Sequence, residues 1–271
     1  MISFGNDGWV AKISEEFTFD NVRRVGRAAA ACLTGRGLPA GPFIVSYDPR
    51  FLADRFAVEL AKTLESAGIS VLLTERDTPT PVVAWEMNDK KAVGAVVVTA
   101  GSRDRQFGGL KFLGDIAREI GQYLDRPAAD QVKKGSVERF EPRERYYRYL
   151  SAQLDQAKIK KAAPLVVVDP FHGSARGYVD LFLQRLGCRV EELHGERDVL
   201  FGGEEPDPTE GRLIELRAKV AALKADLGLA FNADASAYAL IGRDGRFQAG
   251  ESAADPILAA FQAVEKLSSV V

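Results

Sequence analysis

The sequence predicts an α/β protein that is long enough to form two domains. Short apolar runs with the length of strands alternate along the chain with longer segments whose apolar residues recur at helical spacing. This alternation of strand and helix is typical of layered α/β folds. The chain has 271 residues, which is enough to bury two hydrophobic cores.

In the first half of the chain, helices and strands are expected to alternate. Val22, Val25, Ala29 and Leu33 lie at helical spacing and indicate the first helix. Asp54 is suited to cap the second helix, because aspartate is a preferred N-cap residue. The expected elements are a helix at residues 20–34, a strand at 42–47, a helix from Asp54 to about 66, a strand at 69–73, a helix from Val82 and a strand at 92–98.

A polar segment separates this half from the next one. Residues 125–142 are charged and include two prolines, which predicts a linker between domains. Arg243-Asp244-Gly245-Arg246 is typical of a β-hairpin turn. The elements expected after the linker are a helix at 143–157, a strand at 165–168, a turn at 169–173 opening a helix that ends at 186, a strand at 188–193, a helix at 210–223, a strand at 227–231 and a helix at 255–267.

The composition argues against several kinds of partner and location. The formal net charge of −2 gives no positive field for nucleic acid and none for a membrane surface, so neither partner is expected. No apolar run approaches the ~20 residues that cross a bilayer, and the N-terminal segment lacks the apolar core of a signal peptide. Cys32 and Cys188 lie in apolar stretches, which predicts buried thiols in a cytoplasmic protein.

One loop and several further segments resemble a known enzyme family, in the family's order. The loop reads Thr99-Ala100-Gly101-Ser102-Arg103-Asp104-Arg105-Gln106-Phe107-Gly108-Gly109-Leu110-Lys111. It resembles the phosphoserine loop of the phosphohexomutases (phosphoglucomutase and phosphomannomutase), which carry Thr-Ala-Ser-His-Asn-Pro and then Tyr-Asn-Gly-Ile-Lys at this spacing. The other similar segments are Phe4-Gly5-Asn6-Asp7-Gly8-Trp9, Tyr47-Asp48-Pro49-Arg50, Thr78-Pro79-Thr80-Pro81, residues 169–178, Phe201-Gly202-Gly203 with Pro206-Asp207-Pro208, and residues 225–230.

The resemblance covers the first two of the four domains that these enzymes have. It implies two consecutive three-layer α/β domains with mixed sheets, like domains 1 and 2 of a phosphohexomutase. Domain 1 is expected at residues 1–130 and domain 2 at 143–250. Residues 251–271 are expected to form a C-terminal helix or a remnant of domain 3.

The resemblance places a glycine where the family has its catalytic serine. Gly101 occupies the nucleophile position and has no side chain to phosphorylate. Ser102 is expected to be a polar loop residue, and the alternative is a displaced nucleophile. A shift of one residue moves an atom by roughly 3.5 Å along an extended chain, and a misplacement of about 1 Å can cost ~100-fold in rate.

The metal loop of the family is also changed. Phosphohexomutases hold Mg²⁺ with the phosphoserine and with the aspartates of Asp-Gly-Asp-x-Asp-Arg, and this chain has Asn232-Ala233-Asp234-Ala235-Ser236-Ala237 there. The candidate ligands are therefore Asn232, Asp234 and Ser236, with one carboxylate among them. Mg²⁺ prefers hard oxygen ligands, so we expect no tight site, and Mg²⁺ is the metal expected if a residual site exists. Ala237 and Val10 also stand where the family has arginine.

Basic residues follow the glycine at the nucleophile position. Arg103, Arg105 and Lys111 form either a solvated surface loop or a residual binding site for a phosphate or another anion, since guanidinium groups grip phosphate with paired donors. Lys111 matches the family lysine and is also a candidate catalytic residue. Arg50 matches a family position as well, and as a structural residue it is expected in a buried ion pair.

These features predict a catalytically silent phosphohexomutase relative. Such a protein would bind a phosphosugar weakly, or act as a partner or regulator of a full-length mutase, as a homodimer or a heteromer. The first alternative is an active phosphohexose mutase of carbohydrate metabolism, an intramolecular phosphotransferase that uses Ser102. The second is an interaction scaffold that binds proteins through the surface that a third domain would cover.

Overall fold

The computed structural model describes residues 2–35, 41–124, 135–251 and 253–268. The chain divides into two units, and each is described by itself. Unit 1 comprises Met1–Thr78, Val83–Ala100 and Asp104–Pro142, whereas unit 2 comprises Pro79–Val82, Gly101–Arg103 and Arg143–Val271. Each unit contains one mixed sheet, so the predicted fold of two consecutive α/β domains is confirmed.

Unit 1 is built on a six-stranded sheet. Its strands are β1 (Gly8–Lys12), β2 (Phe43–Tyr47), β3 (Ser70–Thr74), β4 (Gly94–Val98), β5 (Phe107–Leu113) and β6 (Ser136–Phe140). They lie in the order β1-β5-β4-β2-β3-β6, where β4, β2, β3 and β6 are parallel and β5 and β1 add antiparallel pairs. The helices are α1 (Phe19–Gly35), α2 (Ala53–Ser66) and α3 (Thr80–Asp89), of which the first three residues of α3 belong to unit 2.

The central strands of unit 1 are buried on both faces. Phe43 and Val45 of β2 share one core with residues of α1 and α2. Ile44, between them, belongs to a second core that includes Val83 of α3. Successive side chains of a strand point to opposite faces, so helices cover both sides of the sheet. This explains why the central strands have continuous apolar sequences without alternation.

Several elements of unit 1 differ from the sequence prediction. Residues 136–140, predicted as part of a linker, form the edge strand β6, which pairs in parallel with β3. Most of β6 is exposed, so it lacks the apolar pattern that marks a strand. The sheet of domain 1 therefore extends beyond residue 130, the predicted end of this domain. Residues 125–134 of the predicted linker lie outside the described residues. Asp54 does not cap α2, because the N-cap is Leu52, which has a φ of 60° and makes no side-chain cap.

Strands β1 and β5 were not predicted, because glycines interrupt their apolar pattern. A Cβ at Gly8 would lie 1.9 Å from the carbonyl oxygen of Leu110 in the paired strand. At Gly109 it would lie 2.4 Å from the carbonyl oxygen of Thr99. The glycines thus permit a close approach of backbones that a side chain would block.

Unit 2 contains a five-stranded sheet. Its strands are β7 (Leu165–Asp169), β8 (Arg189–Glu192), β9 (Leu227–Phe231), β10 (Tyr238–Gly242) and β11 (Phe247–Ala249). They lie in the order β11-β10-β9-β7-β8, in which β9, β7 and β8 are parallel and β10 pairs antiparallel with both β9 and β11. The helices are α4 (Arg143–Gln153), α5 (Gln156–Ala162), α6 (Val179–Arg185), α7 (Ile214–Leu223) and α8 (Pro256–Leu267).

Local signals predicted much of unit 2. The hairpin turn at residues 243–246 joins β10 and β11, as expected, and Asp255 caps α8 by accepting a hydrogen bond from Leu258 N. The single helix predicted at 143–157 is instead two, because the Asp155 side chain accepts from Lys158 N and starts α5. Helix α8 packs within unit 2, where the Phe261 ring lies 5.1 Å from that of Phe182.

Two further expectations from the sequence concern the burial of the cysteines and helices that could span a membrane. Cys32 and Cys188 are both buried, as predicted. Among the helices that the structure describes, none combines the length and apolar character that a membrane crossing requires.

Candidate functional site

The loop at residues 232–237 follows β9 in unit 2 and centres on a buried carboxylate. Asp234 is fully buried. Thr80 Oγ1 donates to its Oδ2 at 2.7 Å, and Ser236 Oγ donates to its Oδ1 at 2.6 Å. The backbone repeats the first contact, since Thr80 N donates to the carbonyl oxygen of Asp234 at 2.8 Å. Both oxygens of the carboxylate are therefore engaged by neutral hydroxyl donors.

Asn232 joins this loop to Ser102. Its Oδ1 accepts from Ala237 N at 3.0 Å. Its Nδ2 donates to Ser102 Oγ at 3.2 Å and to Ser236 Oγ at 3.3 Å. The structure thus brings together four of the predicted site residues within unit 2, namely Ser102, Asn232, Asp234 and Ser236.

Gly101 precedes Ser102 in an open, left-handed conformation. Its φ is +59°, and a Cβ built there would meet no atom of the described residues within 4 Å. Space is therefore present for a side chain at this position. The conformation itself disfavours one, because an L-residue in the left-handed region costs roughly 1–2 kcal/mol.

In unit 1, a buried ion pair holds the segments on either side of this turn. Asp48 and Arg50 are both buried, and Arg50 Nε lies 3.0 Å from Asp48 Oδ2. Thr99 Oγ1 donates to the same oxygen at 2.6 Å. Arg50 Nη1 donates to the carbonyl oxygens of Asp104 at 2.9 Å and Phe107 at 3.3 Å. The expected buried ion pair of Arg50 is confirmed, and it fixes both ends of the loop.

Comparison with known proteins identifies the family. The model of phosphoglucomutase/phosphomannomutase alpha/beta/alpha domain I matches residues 1–137, and that of domain II matches residues 144–245. The chain belongs to the phosphoglucomutase/phosphomannomutase family. The sequence-based resemblance to phosphohexomutases is therefore confirmed.

Similar proteins carry mutase names and are longer than this chain. A phosphoglucomutase/phosphomannomutase of Thermococcus kodakarensis is 28% identical, and the match covers 92% of this chain and 57% of that protein. A phosphoglucosamine/phosphogalactosamine mutase of Sulfurisphaera tokodaii is 27% identical over 92% of this chain and 56% of its own. A solved Thermus thermophilus structure assigned as a phosphomannomutase superposes with a TM-score of 0.83 at 28% identity, covering 91% of this chain and 58% of its own. The chain thus spans a little over half the length of these relatives.

The donors in the 232–237 loop do not fit the Mg²⁺ ion that the resemblance implies. Mg²⁺ demands near-octahedral oxygen ligands and is normally bound through one or two carboxylates. Here both Asp234 oxygens and Asn232 Oδ1 accept from protein donors, and Asn232 Nδ2 turns N–H groups toward the two serine hydroxyls. Across the ranges that the structure describes, no three His, Cys, Asp or Glu side chains are grouped to hold a metal.

The candidate anion-binding residues of this family member are divided between the units. Arg103 is exposed and belongs to unit 2. In unit 1, Arg105 Nη1 lies 3.8 Å from Asp104 Oδ2, and Lys111 is a half-buried residue of β5 that pairs with Gly8 of β1. All three basic residues already make polar or electrostatic contacts in the protein. An anion at any of them would compete with or join those contacts.

Sequence reasoning missed Thr80 as a site residue. The segment Thr78-Pro79-Thr80-Pro81 resembles a segment of the family, and the sequence predicts a helix only from Val82. Helix α3 begins at Thr80, whose hydroxyl and amide both contact Asp234. The segment itself was the available signal, because a threonine between two prolines offers a hydroxyl on a restricted backbone.

A serine at position 101 tests whether this position has room for a side chain. We expect Gly101→Ser to fold and to lower the free energy of unfolding by roughly 1–2 kcal/mol, because the cost is left-handed strain without a clash. Urea titration of the variant measures the change. Gly109→Ala is the contrasting variant, since its Cβ would lie 2.4 Å from a carbonyl oxygen. A larger loss for Gly101→Ser than for Gly109→Ala would contradict the open position.

Proposed function

We propose that this chain is a non-catalytic member of the phosphohexomutase family, which binds a phosphosugar weakly or acts as a partner or regulator of a full-length mutase. The observation that carries the proposal is Gly101 at the position of the catalytic serine. A phosphohexomutase must hold the phosphoryl group covalently between its two transfers, and a glycine has no atom to accept it.

The chemistry of the 232–237 loop supports the same conclusion. Phosphoryl transfer depends on positioning and on neutralising charge, for which a divalent cation is the usual means. Asp234 is the one carboxylate of the loop, and its oxygens accept hydrogen bonds from Thr80 and Ser236. Two independent requirements of the reaction, the nucleophile and the cation, are thus both weakened.

A binding role remains compatible with these changes. Arg103, Arg105 and Lys111 supply positive charge in the 99–111 loop, which resembles the phosphoserine loop, and the relatives named above act on hexose or hexosamine phosphates by name. A weak phosphosugar or anion ligand is therefore the ligand class we propose. A homodimer or a heteromer with a full-length mutase is the assembly we propose for a regulatory role.

A second candidate function is an active mutase that uses Ser102. One observation favours it, because Ser102 Oγ lies 3.2 Å from Asn232 Nδ2 and so reaches the 232–237 loop. Against it, a serine displaced by one residue starts roughly 3.5 Å from the family's position, and Asn232 Nδ2 already donates to its oxygen.

A coupled mutase assay separates the two candidates. The purified chain is given glucose 1-phosphate, a glucose bisphosphate primer and Mg²⁺, beside Ser102→Ala and a full-length relative as positive control. We expect no turnover above background from either form and no phosphate on Ser102 by mass spectrometry. Turnover that disappears in Ser102→Ala would establish the active alternative. Titration of glucose 1-phosphate by NMR, with Lys111→Gln as the comparison, tests the remaining binding role.

A further inference from the structure

A cavity lies in unit 2, and the 232–237 loop does not line it. Its volume is about 790 Å³. Phe171 and His172 follow β7, His194 follows β8, and Ile214 and Glu215 begin α7, so the cavity opens beyond the carboxyl ends of parallel strands. Open α/β sheets bind ligands at this edge, and the volume falls in the range of about 300–1,000 Å³ typical of small-molecule sites.

Both histidines of the chain line this cavity, and Nδ1 of each ring is within hydrogen-bond distance of an oxygen of the protein. His194 Nδ1 lies 3.0 Å from Asp169 Oδ1, and that hydrogen bond raises the pKa of the imidazole, while burial opposes it. His172 Nδ1 lies 3.1 Å from the carbonyl oxygen of Glu196. A carbonyl can only accept, so Nδ1 of His172 carries the hydrogen, and its Nε2 is left as an acceptor in the neutral ring.

In this tautomer, the Nε2 atom of His172 is an acceptor to which no donor in the described part of the chain hydrogen-bonds. The His172 side chain is only 7% exposed. A Cβ at Gly202, another lining residue, would lie 3.3 Å from this nitrogen. The cavity therefore offers a hydrogen-bond acceptor that a ligand with a donor would satisfy.

The charges on the cavity wall favour a cation. Glu215 is 66% exposed at the side chain, and its Oε2 lies 3.6 Å from His194 Nε2. Arg212, the one arginine of the lining, is bound at 2.7 Å by both Glu204 and Glu205, so this group keeps a net negative charge. A protonated His194 has two carboxylates as neighbours, Asp169 at Nδ1 and Glu215 at Nε2, so its positive charge does not exceed the negative charge around it.

Several of the other lining residues are apolar. Phe171 and Phe201 are buried, and Ile214, which also lines the cavity, is 70% exposed. Leu200, next to Phe201 in the chain, is 54% exposed. Burying such surface against an apolar ligand is favourable, because it removes apolar area from water.

We infer that this cavity binds an organic cation, an ammonium group carried on an apolar body. The ammonium donates to His172 Nε2 and faces Glu215, and the apolar body packs against Phe171, Phe201 and Ile214. This site is independent of the proposed phosphosugar binding, which concerns anions and other residues.

Three probes of equal shape test the inference on the intact chain. Isothermal titration compares 4-phenylbutylamine, 4-phenylbutanol and 4-phenylbutanoate, which differ in the charge of one end. We expect the amine to bind most tightly and the carboxylate least. Equal affinities for all three, or tightest binding of the carboxylate, would overturn the inference.

Variants and an NMR signal locate the binding. We expect Glu215→Gln to weaken amine binding by about two- to fivefold, the range of an exposed charge pair, and to leave alcohol binding unchanged. Glu15→Gln, an exposed glutamate of unit 1, is the matched control and should change neither.

Because the chain has only two histidines, the ¹⁵N resonance of His172 Nε2 can be assigned directly and should shift on adding the amine. An unshifted resonance, or an unchanged affinity in Glu215→Gln, would contradict the site.

Discussion

Replacing both Asn232 and Ser236 with aspartate is expected to create a Mg²⁺ site in the 232–237 loop. The double variant raises the loop from one carboxylate to three and removes the Asn232 N–H groups that now face Ser102 and Ser236. Without metal, the three carboxylates repel one another, so the variant should unfold at a lower temperature than the wild type. Millimolar Mg²⁺ should restore it.

The size of the metal effect follows from linkage between binding and folding. At a Mg²⁺ concentration ~100 times the Kd, binding adds about 2.7 kcal/mol to stability. For a chain of this size, each kcal/mol moves the Tm by about 2–4 °C. We therefore expect a rise of several degrees in the double variant, whereas Mg²⁺ or a chelator should leave the wild-type Tm unchanged.

Thermal unfolding with Mg²⁺ and with EDTA measures this difference. Asn21→Asp combined with Ser66→Asp adds the same two charges in α1 and α2 of unit 1 and is the matched control. It should show no response to Mg²⁺. A wild-type Tm that falls with EDTA, but not in Asp234→Ala, would mean that the loop already holds a metal, and would remove one support of the non-catalytic proposal.

The parts of the fold that local patterns determine were predictable from the sequence. Strand β9 was predicted with the correct ends because its apolar run is bounded by polar residues. Asp255 caps α8, as is typical of an aspartate directly before an apolar helix. Strand β6 was missed because an exposed edge strand needs no apolar residues. Its existence depends on pairing with β3, which is set by tertiary structure.

The contacts of the candidate site depend on residues that are distant in sequence. Spacing alone identified Asn232, Asp234 and Ser236 as possible ligands. It could not show that Thr80 hydrogen-bonds to Asp234, or that Asn232 turns its N–H groups toward Ser102. The same residue types can serve as metal ligands or as hydrogen-bonded loop residues. Only the arrangement of hydrogen-bond donors around their oxygens distinguishes the two roles.

The Asp48→Ala substitution is expected to give the largest loss of stability in unit 1. It leaves the Arg50 guanidinium buried, and breaking a buried ion pair by removing one partner costs about 3–5 kcal/mol. It also removes the acceptor of Thr99 Oγ1, the residue that enters the loop. Arg50 cannot relieve this loss by turning out to solvent. It also donates to the carbonyl oxygens of Asp104 and Phe107, and those hydrogen bonds would then break.

Urea unfolding followed by tryptophan fluorescence isolates this effect. Both tryptophans of the chain, Trp9 and Trp85, lie in unit 1, so the signal reports on that unit. Asp54→Ala, which removes an exposed partner of Arg55, should cost no more than about 1 kcal/mol. Removing both charges with Asp48→Ala and Arg50→Ala should cost less than the sum of the two single variants, since neither charge is then left unpaired. Additive losses would show that the two residues stabilise unit 1 separately, and that the loop between Thr99 and Phe107 is held by other contacts.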